Sequence, residues 1–394
     1  MNVLLTTVSL DSRAGGGTAE RTRRLARHLV LQGHGCTVAT MEDGDLADEL
    51  RAIGVAVYVA PVIRLRFRVP LINIRQLAKA VRTADVIHIL GYWNLLSIVT
   101  ARLAVYYRKP YAFSAAGEFV GLDRPRPVPR MFHWLLGRRM LRNARLFVAI
   151  TELERSQILG RFRLSPDEVI VVPNGVELSP PAAGSTDHLP GKPFILFVGR
   201  LAEVKGPDLL LEAYADIAGD HPEVELVIGG PDFGMEHQLR LKAVERNLAD
   251  KVTFTGHLDE AARTAAYQRA LFLTVPSRAE AMSLVAVEAG AAGTPVLLTD
   301  QCGFDEVEAI GGGAVVPATV DGLADGMRMM LARGDALRED GQRLRDHVER
   351  TYAWPAIVAG LVSRLEHVIS AELGEGRKSS FLGRQASGDS EVGR

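Results

Sequence analysis

Arg200 and Lys205 follow closely on an apolar run, Phe194-Ile-Leu-Phe-Val198, with Gly199 leading into them. Ligands of open parallel sheets bind at the carboxyl ends of strands, so this spacing suits an anion. A guanidinium donates a fork of hydrogen bonds to phosphate oxygens, and an ammonium adds a compact positive charge. Read alone, the pair is equally a surface ion-pairing set ahead of the helix expected from Pro207. A second stretch, Ser277 to Val296 (SRAEAMSLVAVEAGAAGTPV), weighs against that reading. The apolar run Leu271–Val275 enters it and Pro295–Leu298 leaves it, with a short helix expected between from about Ser283. The free N–H groups and positive dipole end of that helix face whatever binds above the strand. Glu280, ahead of the helix, is placed to accept from a sugar hydroxyl. Glu288 shares a helical face with Leu284 and can accept from two vicinal ribose hydroxyls. Leu284, Val285 and Val287 are read as the core residues of this helix. The plainer alternative is two solvated surface glutamates.

The elements that must position these groups alternate between β-branched runs and helical patterns, the signature of parallel sheets covered by helices. In the first half Val3–Thr7 leads through Gly15-Gly16-Gly17 into a helix over 19–33, and strands follow at 37–40, 56–59, 86–89, 111–114, 146–149 and 169–172. The second half repeats the scheme with strands at 194–198, 225–228, 252–254, 271–275, 296–298 and 314–316. The expected organisation is a first domain over 1–178, a linker over 179–191 and a second domain over 192–352. A closing helix is expected over 353–373 and a disordered tail over 374–394. Glycine at 15–17 lets backbone approach a ligand, with N–H groups of Gly16 and Gly17 at the helix start; the alternative is a plain strand-to-helix turn.

Of the 394 residues, 47% are apolar and 24% charged, enough for two α/β domains with real cores. Cys36 and Cys302 lie far apart and offer neither a metal-ligand spacing nor a disulfide framework, so a reducing cytosolic setting is expected. The start, MNVLLTTVSLDSR, lacks the basic region of a signal peptide, and the longest apolar stretch, Ile89 to Tyr107, is interrupted by Gly91, Asn94 and Arg102. Net charge is −1, yet residues 1–178 hold 25 Lys+Arg against 15 Asp+Glu, and the remainder 21 against 32. Arg124 to Arg145 contains seven arginines and no acid, interleaved with Met131, Phe132, Trp134 and Leu135. Such a segment over 124–145 either lies on an anionic leaflet or is an ordinary helix with its apolar side inward. No nucleic-acid module is recognisable. Asp43-Gly-Asp45 looks like a metal-binding triplet, but no strand runs into it, and it reads as a solvated turn.

Taken together, Gly199-Arg200…Lys205-Gly206, Glu280-x7-Glu288, Pro173-Asn-Gly-Val-Glu177 and the glycine loop resemble retaining glycosyltransferases of the GT-B fold, family 4, over residues 1–373. The resemblance implies an α/β fold of two Rossmann-like domains whose parallel sheets face across a cleft, 1–178 binding the acceptor and 192–352 the nucleotide sugar, with the C-terminal helix 353–373 returning to the first domain. It implies that Arg200 and Lys205 hold the diphosphate of a UDP- or GDP-sugar, and that Glu280 contacts the sugar beside the N–H groups of Met282 and Ser283. Leu284 and Val285 would offer N–H groups to phosphate, Glu288 would hold the ribose, and His257 and Leu258 would flank the base. Relatives have Gly-Phe-Gly where this chain has Ala281-Met282-Ser283, and a histidine where it has Ala116 in Ala115-Ala-Gly-Glu118. His88 or Glu118 then lines the cleft, or His88 is a core histidine. Asp305-Glu306 falls where relatives place an acidic turn near the donor. No metal and no cofactor is implied, because the cations and helix N–H groups stabilise the departing diphosphate. The expected acceptor is a glycan or lipid-linked intermediate of a surface polysaccharide, reached by a cytoplasmic protein peripheral to the inner face of the membrane. Two rivals share these features: a catalytically silent sugar-nucleotide sensor and a GT-B epimerase.

Overall fold

Apolar β-branched runs pair into two parallel sheets, each within its own unit. The computed structural model describes residues 1–12, 14–64, 68–115, 131–178, 189–280, 282–304 and 306–388. It divides into a unit of Met1–Pro173 with Ile357–Arg394 and a unit of Asn174–Ala356.

The first unit contains β1 (Asn2–Ser9), β2 (Gly35–Glu42), β3 (Ala56–Val59), the antiparallel hairpin β4 (Val62–Arg64) and β5 (Arg68–Pro70), β6 (Val86–Leu90), β7 (Tyr111–Ser114), β8 (Leu146–Ala149) and β9 (Val169–Val171). The sheet order is β3-β2-β1-β6-β7-β8-β9. All five side chains of β6 are buried, as a strand covered on both faces requires. The helix Gly16–Leu31 starts at the expected glycines. Inside this unit Arg21 is buried, and its guanidinium donates to the carbonyls of Val172 (2.7 Å) and Pro173 (3.0 Å), where the chain leaves the sheet.

The second unit contains β10 (Phe194–Val198), β11 (Glu225–Gly229), β12 (Val252–Gly256), β13 (Phe272–Val275), β14 (Val296–Thr299) and β15 (Gly313–Val316), ordered β12-β11-β10-β13-β14-β15. Along β10, Ile195 and Phe197 enter one core and Phe194 and Leu196 the other, the two-residue alternation of a sheet covered on both faces. The helix Pro207–Ile217 packs Leu210, Leu211, Tyr214 and Ile217 on the first face. The helix Leu284–Ala291 packs Ala286, Val287 and Ala289 on the second. Strand order therefore reverses between β10 and β13, and a crevice opens above their carboxyl ends, where such sheets bind ligands.

Two sequence expectations need correction. The second unit begins at Asn174, not after a linker at 179–191, because Val176 bridges Ala353 and exchanges hydrogen bonds with Tyr352 and Trp354. Residues 179–188 of the expected linker lie outside the described residues. The last helix spans Trp354–Gly388, so 374–388 is helical and not an unstructured tail. Glycines 374 and 376 weaken a helix by about 1 kcal/mol each but do not stop it as proline would. From Ile357 on, this helix belongs to the first unit, where Arg364 donates to the Asp167 carbonyl and Arg145 pairs with Glu372 at 2.8 Å.

Candidate active site

The loop after β10 places its cations by three local devices. Gly199 N–H donates to the Gly229 carbonyl at 2.9 Å, and Leu201 N–H to that of Pro231 at 2.9 Å, which ties the loop to the end of β11. Arg200 is exposed, its guanidinium 5.2 Å from the centre of the Phe233 ring, a cation–π contact that holds it over the crevice. A 3₁₀ turn, Glu203–Lys205, then carries Lys205 inward and ends at Gly206, whose φ is +68°. A Cβ at Gly206 would collide with the Pro276 carbonyl, so only glycine brings this loop against the end of β13. Pro207 follows at the first helical position, where its missing N–H costs nothing.

Lys205 forms an ion pair with Glu280, and the side chains are 23% and 9% exposed. Burial, reinforced by the Arg200 charge and opposed by Cys302, pushes the Lys205 ammonium below the usual lysine range. Glu280 N–H donates to the Gln301 carbonyl at 2.9 Å, which fixes the loop. The second carboxylate oxygen, Oε2, is buried without a hydrogen-bond partner among the described residues. A buried carboxylate oxygen with a free lone pair is a site for a ligand hydroxyl.

The helix Leu284–Ala291 has no side-chain cap: Ser283 is buried with an unpartnered Oγ. Its first N–H groups, Leu284 and Val285, are therefore left for an anion at the positive end of the helix. The Ser283 N–H itself donates to the Cys302 carbonyl at 3.0 Å and is not available to a sugar, contrary to expectation. Met282 is half-buried beside it, and Ala281 lies outside the described residues.

The face shared by Leu284 and Glu288 is the open one. Leu284 is 39% exposed, whereas Ala286, Val287, Ala289 and Gly290 are buried. A Cβ at Gly290 would press on Leu344 of the helix Ala336–Thr351, which claims the opposite side. The reading of Leu284 as a core residue is thus corrected, and the acid four residues later faces the crevice rather than apolar packing. Glu288 Oε2 accepts from Tyr267 at 3.0 Å and lies 3.0 Å from Arg263 Nε. Both partners come from the helix Glu260–Arg269, so one oxygen is held by protein and Oε1 remains for a ligand.

Other expected residues are placed as follows. His257 is exposed at the end of β12. Leu258 is a core residue, 6% exposed, which packs over Gly229 and leaves no side chain to flank a base. Glu306 accepts from the Tyr352 hydroxyl, while Asp305 and Glu118 lie outside the described residues, as does Ala116. In the other unit, a Cβ at Gly16 or Gly17 would meet nothing within 4 Å, so both positions are open to a ligand. His88 is fully buried in β6, neither ring nitrogen has a partner among the described residues, and burial with the Arg21 charge pushes its pKa down to about 3. It is a core histidine, not an accessible cleft group. Asp43 pairs with Arg51 at 2.9 Å and Asp45 accepts from Ser12 N–H at 2.8 Å, the solvated-turn reading.

One positioning residue escaped the sequence reading. Arg278 forms a two-pronged pair with Asp208 (2.9 and 2.6 Å), donates to the Glu203 carbonyl at 2.6 Å, and its own N–H donates to the Val204 carbonyl at 2.8 Å. It clamps the turn that carries Lys205. Burial opposes ionisation of Asp208, but Arg278 holds its carboxyl below the usual range. Arg278→Ala is expected to lower kcat/KM by about ten- to a hundredfold through a displaced Lys205, with partial rescue in Arg278→Lys. A loss of stability with unchanged kinetics would show a purely structural clamp.

A switch-point crevice with two cations, an uncapped helix start and a buried acceptor oxygen is an arrangement by which α/β proteins hold anionic ligands. The family model described as Glycosyl transferases group 1 matches residues 184–346, and that of Glycosyltransferase Family 4 matches 15–180. The chain belongs to this glycosyltransferase family, and its two Rossmann-like units are those of the GT-B fold. A D-inositol 3-phosphate glycosyltransferase of Gordonia bronchialis is 30% identical over 55% of this chain and 51% of its own length. That of Nocardia farcinica is 30% identical over 65% and 60%. The matched region thus spans only about half to three fifths of these relatives. Among solved structures, HepE of Anabaena in complex with UDP gives a TM-score of 0.73 at 16% identity, over 93% of this chain and 100% of that one. A glycosyltransferase of Rickettsia africae gives 0.73 at 16% identity, over 93% and 98%.

Proposed function

We propose that the protein transfers a sugar, with retention, from a nucleotide-diphosphate sugar to an acceptor hydroxyl. The observation that carries this reading is the Lys205–Glu280 pair at the switch point, a cation for the diphosphate joined to a carboxylate whose Oε2 still lacks a partner. In this reading Arg200, Lys205 and the Leu284 and Val285 N–H groups hold the diphosphate. Glu280 Oε2 accepts from a sugar hydroxyl, and Glu288 Oε1 accepts from the ribose. The bond from the anomeric carbon to the diphosphate breaks as charge grows on the leaving oxygens, and preorganised donors stabilise that charge. The acceptor hydroxyl bonds the anomeric carbon on the same face, and its proton passes to the departing phosphate. No side-chain base and no divalent ion has a step in this scheme.

The proposed acceptor is a lipid-linked or surface-polysaccharide intermediate, met at the inner face of the membrane by the basic first unit. No helix among the described residues is long and apolar enough to cross a membrane, which fits peripheral contact. The names of the relatives favour a second acceptor class, a small polyol phosphate such as inositol 3-phosphate. The test is thermal unfolding with UDP-, GDP- and ADP-sugars against the bare nucleotides, followed by turnover of the stabilising donor with each acceptor class. The correct donor raises stability by about 2.7 kcal/mol at a hundred times its Kd. If no sugar nucleotide stabilises beyond its bare nucleotide, the role of Glu280 fails. Stabilisation without turnover on any acceptor would identify a silent sensor.

A further inference from the structure

The first unit holds a cavity that the transfer reaction does not use. It has a volume of about 920 Å³, the size of a small-molecule site. Its walls are apolar, built from Leu141, Phe147, Phe162 and Leu164. Its rim carries Arg138, Arg142 and Arg161, with Trp134 beside them, 71% exposed. The lining acid, Glu168, is already engaged, since its carboxylate accepts from Ser165 N–H at 2.8 Å and Ser165 Oγ at 2.9 Å. Neither Arg138 nor Arg142 forms an ion pair among the described residues.

The rim is shaped by a π-helical turn, His133–Gly137, which runs directly into the helix Arg138–Arg142. That turn wraps the Tyr92 hydroxyl, which lies 2.5 Å from His133 Nδ1. A Cβ at Gly137 would collide with the same hydroxyl, so glycine is required for the close approach. Insertions of this kind in helices recur at functional sites. Burial, with the charges of Arg138 and Arg161, pushes the His133 pKa down. The surrounding face is apolar and basic too. Met131 and Leu135 are exposed, and Tyr106 and Val105 stand exposed beside Arg102 and Arg139.

An apolar chamber with exposed arginines in its lining is complementary to an amphiphile with a phosphate at its head. A tryptophan at the mouth suits the headgroup boundary, where one part of the indole is apolar and the other wet. We propose that this cavity takes an acyl chain of an anionic phospholipid, with its phosphate on Arg138 and Arg142. The site docks the first unit on an anionic leaflet by a seated chain as well as by surface charge. It rests on the membrane-facing part of the proposed function and not on the transfer reaction.

The full chain is sedimented with vesicles of phosphatidylcholine alone and with vesicles containing phosphatidylglycerol. Binding is expected only to the second, and Arg138→Ala/Arg142→Ala should weaken it about thirtyfold. Phosphatidylglycerol brominated on its acyl chains should quench Trp134, read as the fluorescence difference from Trp134→Phe. Ala144→Phe, which narrows the cavity from its wall and keeps every arginine, should lose much of the quenching and of the affinity. Three results would overturn the site: equal binding to neutral vesicles, no quenching of Trp134 in the wild type, or protection from unfolding by inorganic phosphate equal to that by a short-chain phosphatidylglycerol. Donor-induced thermal stabilisation, measured on the same samples, is expected to stay unchanged in every variant. Failure of the lipid site is thereby separated from failure of the transferase reading.

Discussion

Arg200→Ala lowers kcat/KM for sugar transfer by about 10²- to 10³-fold, the cost of removing one preorganised donor to a developing negative charge. Arg200 is exposed and its guanidinium rests on Phe233, so the fold survives the change and the loss reads as chemistry. Lys205→Ala behaves differently. It strands Glu280, 9% exposed, without its cation, and removing one partner of a buried pair costs about 3–5 kcal/mol. Urea unfolding should therefore show a large stability loss in Lys205→Ala and little in Arg200→Ala. The double variant Lys205→Ala/Glu280→Ala should regain most of that stability and none of the turnover. Were Arg200→Ala to retain kcat/KM within about twofold of wild type, the diphosphate would have to sit elsewhere.

The second large effect lies far along the chain, at His88, and concerns stability. Its folded pKa is depressed to about 3, first by burial and then by the Arg21 charge, against about 6.5 in the unfolded chain. Between those values the unfolded state binds the proton and the folded state does not, so stability falls as pH drops below 6.5. The shift predicts a loss of about 2 kcal/mol from this residue between pH 7.5 and pH 5. His88→Leu should remove that portion of the acid sensitivity, read as the difference between the two proteins' denaturation midpoints at the two pH values. Carboxylates held below their usual range, such as Asp208, contribute equally to both proteins and cancel. If His88→Leu kept the wild-type slope and lost turnover instead, the imidazole would be acting on a ligand.

The catalytic reading depends on residues of two kinds. Arg200, Lys205 and Glu280 bear the charge that meets the ligand. Arg278 and Asp208 hold the turn that carries Lys205, and Tyr267 and Arg263 hold Glu288. The second kind is invisible to motif reading because each contact is made between segments distant in sequence. Asp208 and Arg278 are apart by 70 residues and Tyr267 and Glu288 by 21.

Strand positions were legible because buried parallel strands read as apolar β-branched runs, and β7, β8 and β10 fall where those runs do. The placing of glycine, arginine and lysine after β10, and of two glutamates after β13, was equally local, since ligands meet α/β sheets at strand ends. What local pattern could not decide was which side of a short helix its neighbours cover. Leu284 and Glu288 share a face by periodicity alone, but only the helix Ala336–Thr351, packed on Gly290, makes that face the open one. The domain boundary was likewise hidden, because the bridge from Val176 to Ala353 joins segments that a linear reading keeps apart. His88 is decided the same way: a polar residue in an apolar run reads as core or as cleft. The neighbouring strands β1 and β7 enclose β6, and His88 has no hydrogen-bond partner among the described residues. Composition and period thus determine which elements form and what their ends carry, while packing between distant segments decides which of those groups remain open to a ligand.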